Sequence, residues 1–218
     1  LEEVSNGQYS VMFPWRISDE PIALEEPLTE DWAEWCFEGY FDNLVSLEHD
    51  EGMVLVKVWL LSGLFRNEAV SRPILALFGQ PGAGKSTLFR TLYTLMFGPR
   101  KSLEAITTAD DFDQAVSTEP FVVFDNVDTW SHWLPDRLAL AAATSDLTKR
   151  KLYTDTDTFV VKRQAMVGIT AHNPRFGRED VIDRLLLLNF ERLPKFRSET
   201  EMLERVWRNR NHIWGSII

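Results

Sequence analysis

The chain has 218 residues, of which 44% are hydrophobic, 12% aromatic and 26% charged; this is enough apolar material for a sizeable core and excludes a disordered or fibrous chain. Its best apolar run, residues 53–65, is interrupted by Lys57 and falls short of the roughly 20 residues a spanning helix needs, so no membrane role is expected. The formal charge of -10 is uneven: residues 1–52 hold 14 acidic side chains and one basic one, Arg16, leaving the remainder slightly basic and able to carry a local anion site. One cysteine, Cys36, excludes an internal disulfide framework and a cysteine-rich zinc site, and a reducing, cytoplasmic setting fits.

Residues 1–27 are punctuated by Asn6-Gly7, Pro14, Pro21 and Pro27 and read as short strands or extended arms. Thr29, followed by Glu30 and Asp31, predicts a helix start. Trp32, Cys36, Phe37, Tyr40, Phe41, Leu44 and Val45 then form the apolar face of one amphipathic helix whose other face is acidic. A second helix is predicted over 53–65. After Arg72-Pro73 the pattern changes to short apolar runs alternating with helical stretches, which is the signature of a parallel sheet covered by helices. The runs at 74–78, 121–124, 165–170 and 185–190 are strands by this criterion, with a weaker one at 103–106. Helices are expected at 85–97, 108–116, 130–144 and 199–210. Three parts follow: an acidic, largely helical region over 1–66, an α/β core over 67–194, and a C-terminal helix over 195–218.

One motif carries chemistry by itself. Gly79-Gln80-Pro81-Gly82-Ala83-Gly84-Lys85-Ser86-Thr87 fits G-x-x-x-x-G-K-[ST] and lies between an apolar strand and a helix, where a phosphate-binding loop works. Glycines let backbone N–H groups turn toward phosphates, and the helix N-terminus adds positive potential. Lys85 reaches the outer phosphates and the Ser86 hydroxyl holds Mg²⁺, so ATP and Mg²⁺ are the expected cofactors. Asp125, directly after the strand at 121–124, fits the carboxylate that completes the metal site. Its neighbour Asn126 can position water but cannot accept a proton, which predicts slow hydrolysis.

In this order of elements the chain resembles the AAA+ ATPases, and more narrowly the superfamily 3 helicases of viruses, phages and plasmids. The resemblance spans about residues 53–194 and implies an α/β P-loop NTPase fold: a parallel sheet flanked by helices, with an inserted β-hairpin. Residues 150–154 and 158–162 read as the paired strands of that hairpin around Asp155-Thr156-Asp157. By the same resemblance, Asn173 looks like the polar sensor of the terminal phosphate and attacking water. Arg184 occupies the place of the arginine finger that serves a neighbour's nucleotide. A homo-oligomeric, hexameric ring acting on single- or double-stranded DNA is implied, together with fused or partner replication modules. More loosely, Trp59-Leu60-Leu61-Ser62, Phe124-Asp125-Asn126, Lys151-Leu152-Tyr153-Thr154-Asp155 and Asp183-Arg184 are similar to bacterial and phage ATP-binding proteins, a likeness that concerns the fold alone.

Each of these residues has an ordinary alternative. Asn173-Pro174 is a common turn starter, Arg184 fits a surface ion pair, and Arg178 is a second finger candidate. Carboxylates at the hairpin tip would repel a nucleic-acid strand, although Lys149, Arg150, Lys151, Lys162 and Arg163 flank its base. The expected function is a Mg²⁺-dependent ATPase acting as a ring motor, helicase-like, in phage or plasmid DNA replication. The alternative is a nucleotide-dependent AAA+ switch or remodeller acting on a protein partner, and a small-molecule kinase is a weaker third reading.

Overall fold

The run at 74–79 is apolar at every position except its terminal glycine, and a strand of that kind has to be covered on both faces. In the computed structural model it forms β1 (Ile74–Gly79), buried throughout. The structure describes residues 22–37, 40–65, 69, 71–105, 108–127, 131–143, 165–173, 178–192 and 198–217, and the backbone of 147–150 and 158–161. β1 lies inside a parallel sheet with β2 (Phe121–Phe124), β5 (Met166–Ala171) and β6 (Leu185–Phe190), in the order β2-β5-β1-β6. Ala76 faces Ile169 on one side and Leu187 on the other.

Side-chain alternation along the strands divides the core between the two faces. Leu75, Leu77, Val123 and Leu188 point to one face, where they meet α2 (His49–Ser62) and α3 (Lys85–Phe97). Trp59 anchors this layer: it packs edge-on to Phe89 and Phe121 and donates its indole N–H to the Pro73 carbonyl at 2.9 Å. Trp32, Phe37 and Tyr40 belong to the same cluster, so the acidic region from residue 32 onward shares its core with the sheet. The other face, with Ile74, Ala76, Phe78 and Ile169, is covered by α4 (Ala109–Thr118) and α5 (Leu134–Ala142).

Several predicted elements are re-cut by their surroundings. The helix read through Val45 is α1 (Trp32–Phe37) followed by a 3₁₀ turn, Phe41–Asn43. Asp31, rather than Thr29, caps it, accepting from the Ala33 and Glu34 N–H groups. The chain then leaves helical geometry because β6 is the outer strand of the described sheet and offers unpaired backbone. Val45 donates to the Asn189 carbonyl and Glu191 to that of Asn43, so residues 43–45 close the edge. α2 starts four residues earlier than predicted, at His49, because Glu48 and Glu51 form a capping box. The weak strand at 103–106 is reduced to one bridge, Glu104 to Phe124.

The closing helix is two, α7 (Glu199–Arg208) and α8 (Arg210–Ile217), divided at Asn209. Arg210 explains the break: it is 2% exposed and donates to the carbonyls of Leu95 and Met96 at the end of α3, satisfying groups the helix leaves open. β3 (Leu147–Arg150) and β4 (Thr158–Val161) pair antiparallel, but Arg150 faces Thr158 where a turn at 155–157 predicts Thr154 opposite it. Asp155-Thr156-Asp157, Lys151, Lys162 and Arg163 lie outside the described residues, as do residues 1–21 and Pro174. Among the described residues no helix is long and apolar enough to cross a membrane.

Candidate functional site

All four sheet strands are parallel, so their C-terminal ends converge on one edge, the usual position of a ligand crevice in open α/β sheets. The glycine loop leaves β1 at this edge. Its backbone needs glycine: Gly82 has φ +81°, and Gly84, the residue that starts α3, has φ +80°, in the left-handed region that L side chains avoid. Gly79, with φ +139°, also passes so close to β6 that a Cβ there would stand 2.0 Å from the Phe190 carbonyl oxygen. The loop therefore opens the N-terminus of a 13-residue helix, with its free N–H groups, toward a cleft of about 380 Å³.

Lys85 folds back to donate to the carbonyls of Gly79 and, at 3.1 Å, of Gln80. Ser86 Oγ donates to Asp125 Oδ1 at 2.7 Å, and the fully buried Thr170 donates to the same oxygen at 2.6 Å. Thr170 Oγ1 in turn accepts the Asn126 N–H at 2.8 Å. A hydroxyl from the loop helix, a carboxylate after β2 and a hydroxyl from β5 thus meet at one point. This set of hard oxygen donors suits Mg²⁺ and not a soft metal. Pro81, Ala83, Gly84, Thr87 and Asn126 also line the cleft.

Asn126 has φ +58°, the one non-glycine residue with positive φ among the described residues. Asn tolerates the left-handed region better than Glu does, which gives a backbone reason for an amide beside Asp125. Asn126→Gly is expected to leave stability within about 0.5 kcal/mol, whereas Asn126→Glu should cost about 1 kcal/mol by urea unfolding. Equal midpoints for the two variants would remove the backbone from this explanation.

The other sequence candidates lie apart. Asn173 is exposed and is not among the residues lining the cleft; His172, half-buried beside it, is. Arg184 precedes β6 at the opposite edge of the sheet, where its carbonyl accepts the Ile74 N–H and its Nε donates to the Asp180 carbonyl at 3.0 Å. The length of β6, about 20 Å, separates it from its own loop. Arg178 is held by two carboxylates, Asp180 at 2.7 Å and Asp136, and its hydrogen bond keeps the Asp180 carboxyl below its usual range. Thr87 and Arg90 both reach Glu199 at the start of α7, at 2.5 and 2.9 Å.

Thr170, His172, Arg90 and Glu199 were not legible as site residues. The one available signal was a lone threonine in the apolar strand 166–171, which in a buried position has to find a polar partner.

A larger open depression, about 630 Å³, runs along residues 41–51. Asp42, Glu48 and Glu51 line it, a charge that suits no phosphate. Among the described residues, Glu34, His49 and Asp50 are grouped at metal-like spacing, but Glu34 and Asp50 are exposed and the group shares no residue with the cleft. Cys36 is buried in the core, and burial pushes its thiol up to about 12, which leaves it unreactive.

The parallel sheet with its edge cleft is an α/β fold also found in helicases. The apo C-terminal region of NrS-1 superposes with a TM-score of 0.63 at 14% identity over 90% of this chain and 47% of that one, and a second apo structure of the same region gives 0.63 at 15%. SCCmec type IV Cch, an active helicase, gives 0.53 at 15% identity over 96% of this chain and 39% of that one. The chain spans about half the length of these structures or less. A family model for the actinomycete integrative conjugative element replication protein matches residues 41–218, and the chain belongs to this family of replication proteins. No curated protein matches it.

Proposed function

We propose that the chain is the ATPase part of a replication motor: a P-loop NTPase of AAA+ type, similar to superfamily 3 helicases, working on DNA as an oligomeric ring. The observation that carries this reading is the convergence of Ser86, Asp125 and Thr170 beneath the glycine loop that Lys85 closes. Membership of a replication family and the helicase-like fold support it.

In this reading residues 67–194 are the ATPase core, the acidic region 1–66 precedes it and the C-terminal helices follow. The loop amides and Lys85 hold the phosphates of ATP, as a cradle of donors with one full positive charge. Ser86 and Asp125 would hold Mg²⁺, which supplies charge neutralisation on the phosphates when bound. Thr170 fixes the Asp125 carboxylate so that it is already oriented before nucleotide arrives. Asn173 belongs to the same reading as the residue that meets the terminal phosphate. Arg184 serves the nucleotide of the adjacent subunit, and replication modules joined to or partnered with this chain complete the machine.

The test is ATP turnover over a range of protein concentrations with and without single-stranded DNA. Turnover that rises more steeply than protein concentration and is stimulated by DNA is the expected result. Asn126 favours one second reading, a nucleotide-dependent switch acting on a protein partner, because its amide accepts no proton from water. Tight ATP binding with little turnover, indifferent to DNA, would select the switch over the motor.

A further inference from the structure

Arg192 lies two residues beyond β6, at the same sheet edge as the glycine loop, since Phe190 is in register with Gly79. Its approach is fixed one residue earlier, where Glu191 donates its N–H to the Asn43 carbonyl. From there the side chain passes beside the loop: a methyl on Gly82 would stand 3.4 Å from Arg192 Nε, 3.7 Å from Cγ and 3.9 Å from Cδ. Its stem and Nε thus lie beside the loop at Gly82, at the rim of the cleft and not among the residues that line it. Arg90 also lines that cleft, but Glu199 already binds its guanidinium. Arg192 is exposed and, among the described residues, has no carboxylate partner.

An arginine with five donors in a rigid fork, set beside an anion-binding loop and left unneutralised, is suited to grip phosphate oxygens. We infer that Arg192 is a further phosphate-binding residue of the site, acting on nucleotide held by its own chain, in contrast to Arg184 at the opposite edge. The inference rests on the nucleotide-binding reading of the glycine loop and adds its second cationic arm. It commits to the polyphosphate as the group contacted, and not to the base or ribose.

The experiment measures dissociation constants for ATP and for inorganic tripolyphosphate, by calorimetry in magnesium buffer, on the full chain and on Arg192→Ala and Arg192→Lys. Arg192→Ala is expected to weaken both ligands about tenfold, the scale of one lost charge-assisted contact. Arg192→Lys, which keeps the charge but loses the fork, should recover part of that loss. A structural role would give no such recovery and would lower the thermal midpoint, which is expected to stay unchanged for this exposed side chain. Unaltered affinity in Arg192→Ala, with the wild type binding ATP, would overturn the role of Arg192 and leave the nucleotide reading intact. Weakened ATP with unaltered tripolyphosphate would overturn the polyphosphate assignment. A wild-type chain that binds neither ligand would overturn both readings together.

Discussion

Lys85→Ala is expected to lower ATP turnover by at least about a hundredfold, the scale on which removing a charge-stabilising donor acts in phosphoryl or acyl transfer. The reason lies in what the ammonium touches. Without nucleotide it donates to the carbonyls of Gly79 and Gln80, two oxygens of the loop's own backbone, so it is stationed at the cleft mouth with partners that a phosphate readily replaces. The loop conformation itself is held by Gly79, Gly82 and Gly84 and by the Ala83 N–H donating to Gln80 at 3.2 Å. Stability should therefore change by no more than about 1 kcal/mol, the worth of an ordinary hydrogen bond. Turnover and urea unfolding on the same preparation separate the two effects. A variant that unfolds like the wild type and still hydrolyses ATP would place the nucleotide elsewhere.

Arg184→Ala is expected to retain ATP binding and lose turnover by about 10³-fold, as the loss of a finger acting from a neighbour does. The expectation rests on where Arg184 stands relative to its own loop. Arg184 precedes Leu185 while the loop follows Gly79, and these residues are at opposite ends of the β1–β6 ladder. No side chain spans the intervening ~20 Å, so any contribution of Arg184 to hydrolysis has to be made across a subunit boundary. Mixing supplies the decisive measurement. A Lys85→Ala protomer retains its arginine and an Arg184→Ala protomer retains its loop, so an equal mixture should restore complete sites at roughly a quarter of head-to-tail interfaces. If Arg184 only ties the base of β6 through the Asp180 carbonyl, the variant will lose stability and mixing will restore nothing.

The main elements of the sheet layer were legible because their signals are local. Residues 74–78, 121–124 and 185–190 are apolar runs of strand length, and the helix at 85–97 is bracketed by the glycine loop and Gly98. The N-terminal region was read less well for an equally physical reason. The periodicity through Val45 is real, yet the backbone of residues 43–45 gains more by pairing with β6 than by continuing a helix. Asn209 divides the last helix because Arg210 has to reach the end of α3, more than a hundred positions away in sequence.

By itself the sequence determined the spacing of Gly79, Gly82, Gly84, Lys85 and Ser86 between a strand and a helix, and an aspartate placed directly after a buried strand. Those follow from backbone conformational freedom and from apolar patterning, which act within a few residues. Only the tertiary structure decided which oxygens join Asp125, which arginine stands beside the loop and which one lies at the far end of the strands. Thr170, Arg192 and Arg184 come from β5 and the two ends of β6, and parallel strands assign them to one edge of the sheet or the other. Register between strands is set by how the two faces of the whole sheet are buried, a property of the assembled core that no short stretch of chain contains.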